Sequence, residues 1–198
     1  MQKGTEVGFK SLLTLEEYNR LSDKFKGNRL DLQTNHYFDT SRFSLKALDI
    51  SLRVRERESK EFTLKRKKGY SMTEITQEIN DDEYKEMNDT GIIIVPEIQN
   101  DLNPIIGDQK IVRFLSLSTE RTFLNYSNGL LLLDKNSYAF SVHGTEYSGF
   151  IDYEIEYLAK SYHQGKKEFI EIISELEIQY KKADKKIKRA YTILKGLH

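Results

Sequence analysis

Two runs of like charge in this chain have types and spacing that could do chemistry. In LRVRER, Arg53, Arg55 and Arg57 recur at every second residue, and in DYEIEY the acids Asp152, Glu154 and Glu156 do the same. Residues two apart on an extended strand share a face. Each run therefore sets three like charges side by side, which is unfavourable without a counter-charge or a ligand. EFTLKRK adds Thr63, Lys65 and Lys67 at the same spacing, and LLLLDK ends an apolar run on Asp134. Carboxylate oxygens coordinate hard divalent cations such as Mg²⁺ or Mn²⁺, and guanidinium forks grip phosphate oxygens in pairs. Acids on one wall and Arg/Lys on another would suit a polyanion held together with divalent cations. An ordinary half-buried sheet with its charged face in water has the same alternation, and periodicity leaves both readings open.

A further stretch, EVGFK, puts Glu6, Gly8 and Lys10 on one face of a strand and Val7 and Phe9 on the other. The elements that must position these groups are legible as alternating segments rich in Phe, Tyr, Leu, Ile and Thr. They are EVGFK, LQTNHYFDT, ISLRVRERE, KEFTLKRK, LSTERTFLNY, GLLLLDKNSYAFSVH and FIDYEIEYL, and they read as strands. Helical spacing appears in TLEEYNRLSDKF, where Thr14 and Glu17 have the separation of a capping box, and in DDEYKEMNDTG, KKEFIEIISELEIQY and DKKIKRAYTILKGL. Both prolines of the chain fall in or near PEIQNDLNPIIGD, which is expected to be an irregular connection. Many strands with helices mainly early and late indicate an α+β fold dominated by an antiparallel sheet. If that sheet closes into a barrel with the helices outside, the charged faces line an internal tunnel.

The 198 residues suffice for one sizeable core, and 12 Tyr with 10 Phe argue for burial rather than disorder. One domain over residues 1–198 is expected. Lys+Arg and Asp+Glu are 31 each, so no global charge bias points to nucleic acid or an anionic membrane, and the acidic strand opposes a continuous phosphate track. Cysteine is absent, which removes disulfide and thiolate chemistry and fits a reducing compartment. The first residues lack signal-peptide order and no apolar run reaches membrane-spanning length, so a cytoplasmic location without membrane contact is expected. The four histidines are scattered without metal-ligand spacing, and GKK at 165–167 lacks the rest of a phosphate-binding loop.

Taken in order, EVGFK (6–10), YFDT (37–40), LRVR (52–55), FTLK (62–65), TER (119–121), LLLLD (130–134), DYEIEYL (152–158) and KKIKRA (185–190) resemble the CYTH family, the triphosphate tunnel metalloenzymes. That family includes class IV adenylyl cyclases, thiamine triphosphatases and inorganic triphosphatases. The resemblance covers nearly the whole chain and is greatest to single-domain bacterial members. It implies a closed antiparallel barrel of about eight strands, with helices packed outside. It implies metal ligation by Glu6, Asp134, Glu154 and Glu156. Arg53, Arg55, Lys65, Arg121 and Lys186 would hold triphosphate oxygens, and Lys10 would pair with phosphate or position the attacking water. Glu74 and Arg189 are further members of the implied set, while Arg57 continues its strand toward a tunnel mouth.

The implied activity is Mg²⁺- or Mn²⁺-dependent hydrolysis of inorganic triphosphate or a small organic triphosphate. A non-catalytic module that binds polyphosphate or nucleotide, and an adenylyl cyclase acting on ATP, are the alternatives. A homodimer is compatible with the pattern. The family motif asks for a second glutamate where this chain has Gly8, a departure that bears on metal affinity and catalysis more than on fold.

Overall fold

The computed structural model, which describes residues 7–68, 71–126 and 128–197, has eight strands and five α-helices among those residues. The strands are β1 (Val7–Leu13), β2 (Arg29–Thr40), β3 (Ser51–Glu56), β4 (Lys60–Lys68), β5 (Ser71–Ile79), β6 (Ile111–Tyr126), β7 (Gly129–Val142) and β8 (Thr145–Ala159). The helices are α1 (Leu15–Lys24), α2 (Asp81–Thr90), α3 (Pro96–Ile106), α4 (Tyr162–Glu175) and α5 (Lys186–Lys195). Hydrogen bonding orders the strands β1-β8-β7-β6-β2-β3-β4-β5 in one antiparallel sheet, the α+β class expected.

The expected closure into a barrel is not made by hydrogen bonds among the described residues: pairing runs from β1 to β5 and stops. Part of the outer edge of β1 is already taken. Leu12 N donates to Lys181 O (2.8 Å) and Ser11 bridges to Lys182, so a returning loop sits where a closing strand would. None of the described helices is long and apolar enough to cross a membrane.

The chain divides into two compact units. One comprises the described parts of Met1–Leu32, Thr119–Ser137 and Gly149–His198, and the other Gln33–Ser118 and Tyr138–Ser148. Each has its own core. In the first, Leu13, Leu131, Leu133, Ile155 and Tyr157 pack with Phe169, Ile172 and Ile173 of α4, with Leu176 at its C-terminal cap and with Leu21 of α1. In the second, Leu52, Val54, Phe62 and Leu64 pack with Met87 of α2 and Ile98, Leu102 and Ile106 of α3. Each such side chain contributes about 1.5–3 kcal/mol by leaving water, and the same alternation directs its charged neighbours to the opposite sheet face.

Local signals account for the starts of two helices and the end of one. Thr14 Oγ1 accepts from Glu17 N (3.1 Å) while Glu17 Oε2 accepts from Thr14 N (2.7 Å), which is the expected capping box of α1. Asn80 and Glu83 make a second box for α2, which ends where Gly91 adopts φ 71°. Helix α4 begins at Tyr162, four residues before the expected KKEFIEIISELEIQY segment, and ends at Glu175, five residues before that segment does. A Cβ on Gly165 would lie 2.4 Å from Ala159 Cβ and 2.7 Å from Phe9 Cε2, so this glycine lets α4 approach the sheet closely.

Two segments differ from expectation. PEIQNDLNPIIGD is not an irregular connection: it forms α3, with Pro96 in the first turn where its missing N–H costs nothing. The i, i+4, i+8 series Ile98, Leu102 and Ile106 is buried and retains the helix despite Pro104. SMTEITQEI, unassigned in the sequence reading, is β5, paired along its length with β4 from Lys60↔Ile79 to Lys68↔Ser71.

Candidate active site

The first unit gathers most of the charged candidates. Register Lys10↔Glu156 and Leu12↔Glu154 between β1 and β8 puts Lys10, Glu154 and Glu156 on one face, opposite the face where Phe9 meets Phe169 and Tyr162. Lys10 Nζ lies 3.2 Å from Glu154 Oε1 and 3.2 Å from Glu156 Oε2. Asp134, on β7, receives a two-pronged grip from Arg121 of β6 (Nε and Nη2, 2.7 Å each) and a third bond from Lys186 at the start of α5 (2.6 Å). Lys186 also lies 3.9 Å from Glu154 Oε1, and Arg121 Nη2 lies 3.6 Å from Glu156 Oε2.

Asp134 and Glu154 are wholly buried and Glu156 is 9% exposed. One oxygen from each of the three lies within 4.8 Å of the others, close enough to share a metal ion. A set of three carboxylate oxygens suits a hard divalent cation. Glu154 Oε2 is buried without an aligned hydrogen-bond donor, although Arg189 Nη1 lies 2.7 Å away, so it retains acceptor capacity. The residues present therefore fit a metal ion.

Burial alone would destabilise charge here, and the neighbours decide otherwise. Burial disfavours ionised Asp134, but the Arg121 bonds and the Lys186 charge outweigh it and hold the carboxyl below its usual range. Burial likewise opposes the Lys10 ammonium, yet the Glu154 and Glu156 charges raise its pKa. For Lys186 burial wins over Asp134 and Glu154, and the pKa falls.

A supporting layer surrounds these groups. Asp152 accepts from Arg189 Nε (2.8 Å) and from Asn136 Nδ2 (2.9 Å), and Asn136 Oδ1 in turn accepts from Thr119 Oγ1 (2.8 Å). Arg189, a secondary member of the set implied by the resemblance, is thus held against Glu154. Thr119 and Asn136, both buried, were missed by the sequence reading. The available signal was period two, since each lies two residues from a named one, Arg121 and Asp134.

The second unit carries the other cations. Arg53 and Arg55 on β3 and Lys65 on β4 share the face opposite the core, with Arg53 opposite Thr63 and Lys65 opposite Glu74. Lys65 Nζ pairs with Glu74 Oε2 at 2.8 Å. Arg55 is loosely held, 3.5 Å from Asn35 Oδ1 and 3.9 Å from Glu61 Oε2, and Arg53 Nε is buried without a hydrogen-bond partner. Burial, and then the flanking Arg53 and Arg57 charges, lower the Arg55 pKa. In this row the two arginines are donors with loose or missing partners, suited to an anion. Arg57 instead donates to Gln33 Oε1 (3.0 Å) at an exposed position. Asp39 of the YFDT segment is taken by the fold, accepting from the amides of Thr40, Leu45 and Lys46. Glu6 lies outside the described residues.

The model of the CYTH domain matches residues 4–191 of this chain. A proposed triphosphatase of Bacillus subtilis, YjbK, is 29% identical over 197 residues, covering 96% of each chain. The crystal structure of a proposed adenylate cyclase of Bacillus halodurans is 30% identical and superposes with a TM-score of 0.73 over 96% of this chain and 98% of that one. A proposed adenylyl cyclase of Hippeastrum, described as having a dominant triphosphatase activity, shares the fold at 20% identity and a TM-score of 0.65, covering 91% of this chain and 93% of that one. With the buried carboxylate cluster, the basic row on β3 and β4 and a match running nearly end to end, the chain belongs to the CYTH domain family.

Proposed function

We propose that this protein hydrolyses a linear triphosphate, inorganic or carried on a small organic group, with Mg²⁺ or Mn²⁺ as cofactor. The observation that carries the reading is the trio Asp134, Glu154 and Glu156, buried together with ligand atoms within 4.8 Å and faced by Lys10, Arg121 and Lys186. Family membership and the likeness to YjbK support the choice of a triphosphatase.

In this reading Asp134, Glu154 and Glu156 would hold the divalent cation. When bound, that cation offsets phosphate charge and acidifies water for attack. Arg53, Arg55 and Lys65 take phosphate oxygens, and the loose partners of Arg55 leave its fork ready to turn to them. Lys10, held 3.2 Å from both Glu154 and Glu156, acts as a hydrogen-bond donor to a phosphate oxygen or to the attacking water.

Arg121 and Lys186 compensate the carboxylates when no ligand is bound and donate to phosphate oxygens when it is. Asp152, Asn136 and Thr119 fix the supporting layer. The test is phosphate release from inorganic triphosphate, thiamine triphosphate and ATP, each with Mg²⁺, Mn²⁺ and Ca²⁺, with cyclic AMP measured in the ATP arm. Metal-dependent release of phosphate is expected. Cyclic AMP without phosphate release would establish a cyclase, and binding without turnover a non-catalytic module.

A further inference from the structure

We infer that Gly8 is a positioning residue: it is glycine so that the Glu156 carboxylate can lie against β1, within ligand distance of Asp134 and Glu154. The metal part of this inference rests on the function proposed above.

A glycine inside a strand usually answers a backbone need, and Gly8 has none. It is not among the residues of positive φ, so an L side chain meets no conformational penalty there. Nor does it mark a bulge, because the β1–β8 register steps one for one from Val7↔Ala159 through Gly8↔Leu158 to Leu13↔Tyr153.

What Gly8 supplies is space. A Cβ at this position would stand 2.6 Å from Glu156 Oε1, nearer than real Cβ contacts come, and 3.4 Å from Leu158 Cδ2. The other Glu156 oxygen lies 3.2 Å from Lys10 Nζ and 3.6 Å from Arg121 Nη2. The carboxylate thus rests with one oxygen in the notch left by the missing side chain and the other on two cations. Even a methyl group at position 8 would turn it away. Glutamate has rotatable bonds to spare, so the adjustment is a rotation of Glu156 and not a break in the sheet. Because Glu156 supplies one of the three clustered oxygens, the side chain at position 8 governs whether the third ligand is in place.

The test uses four full-length proteins: wild type, Gly8→Ala, Glu156→Ala and the double variant. Mn²⁺ alone is titrated, with free Mn²⁺ read by electron paramagnetic resonance and no triphosphate present. Gly8→Ala should weaken Mn²⁺ binding about tenfold, and it should add nothing in the Glu156→Ala background. A metal-free crystal structure of Gly8→Ala should show the Glu156 carboxylate turned away from Lys10. An unmoved carboxylate, or losses that multiply in the double variant, overturns the inference. A displaced carboxylate with Mn²⁺ affinity equal in wild type and Glu156→Ala upholds the positioning of Glu156 and overturns its assignment as a metal ligand.

Discussion

Replacing Asp134 with asparagine removes one charge and almost no volume from a side chain that is wholly buried. Asp134 takes three charge-assisted bonds of 2.6–2.7 Å, two from Arg121 and one from Lys186, whose own side chains are only 17% and 15% exposed. An asparagine keeps one acceptor oxygen and turns an amine toward the cations. The loss leaves buried positive charge uncompensated, for which about 3–5 kcal/mol is the usual cost. In a protein of this size that corresponds to a fall in Tm of roughly 6–20 °C.

The measurement is urea unfolding in EDTA at neutral pH, so that metal cannot contribute. Glu120→Gln serves as the control, because its 2.9 Å pair with Lys135 is partly open to solvent, far more so than the wholly buried Asp134, and should matter by about 0–1 kcal/mol. The pH dependence supplies a second check. The folded state lowers the Asp134 pKa, so its contribution is complete above the unfolded value of about 3.9 and disappears as pH falls through the lower folded value. Asp134→Asn should therefore flatten the acid limb of the stability curve. A loss no larger than that of the control, or an unchanged acid limb, would refute the electrostatic account of this cluster.

Arg55→Ala should weaken binding of inorganic triphosphate by roughly 10–100-fold in calorimetry, while Arg57→Ala, already engaged by Gln33, should cost little; equal losses would count against the assigned row. Gly8→Glu should bind Mn²⁺ more tightly than Gly8→Ala, since it brings a carboxylate to the place from which it pushes Glu156; the reverse order would contradict the account of that notch. The carboxylates Asp134, Asp152, Glu154 and Glu156 are matched by Lys10, Arg121, Lys186 and Arg189. A divalent cation alone therefore adds charge to a balanced group. Mg²⁺ and triphosphate together should raise the unfolding midpoint by more than the sum of their separate effects, and simple additivity would argue against that balance.

The strands that carry charge were legible because alternation there is nearly perfect. Leu52, Val54, Phe62 and Leu64 go to the core, and Arg53, Arg55 and Lys65 go to the other face. SMTEITQEI was hidden because most of its residues, on both faces, stay exposed, so pairing with β4 and not burial makes it a strand. PEIQNDLNPIIGD was hidden because two prolines outweigh three well-spaced apolar residues in a local reading, whereas in the fold burial of those three decides. Ion pairs across the cluster join residues 144 positions apart, such as Lys10 and Glu154. Spacing gives each partner's face but not who meets whom. The reason for Gly8 was equally out of reach, because it lies in the rotamer of a residue on another strand.

Among the described residues the hydrogen-bonded order ends at β1 and at β5, and an edge strand offers backbone amides and carbonyls that could recruit a foreign strand. At β1 the chain uses its own return as a guard rail: Lys181 N donates to Ser11 Oγ (2.9 Å) and Lys181 O receives Leu12 N. The guard carries consecutive lysines, Lys181 and Lys182, whose like charge repels a second copy arriving along the same margin. Solubility at this margin is thus vested in a short loop far along the sequence from the strand it shields. Replacing Lys181 and Lys182 with uncharged residues, which leaves the chain length up to Lys186 and Arg189 intact, should promote self-association along this margin.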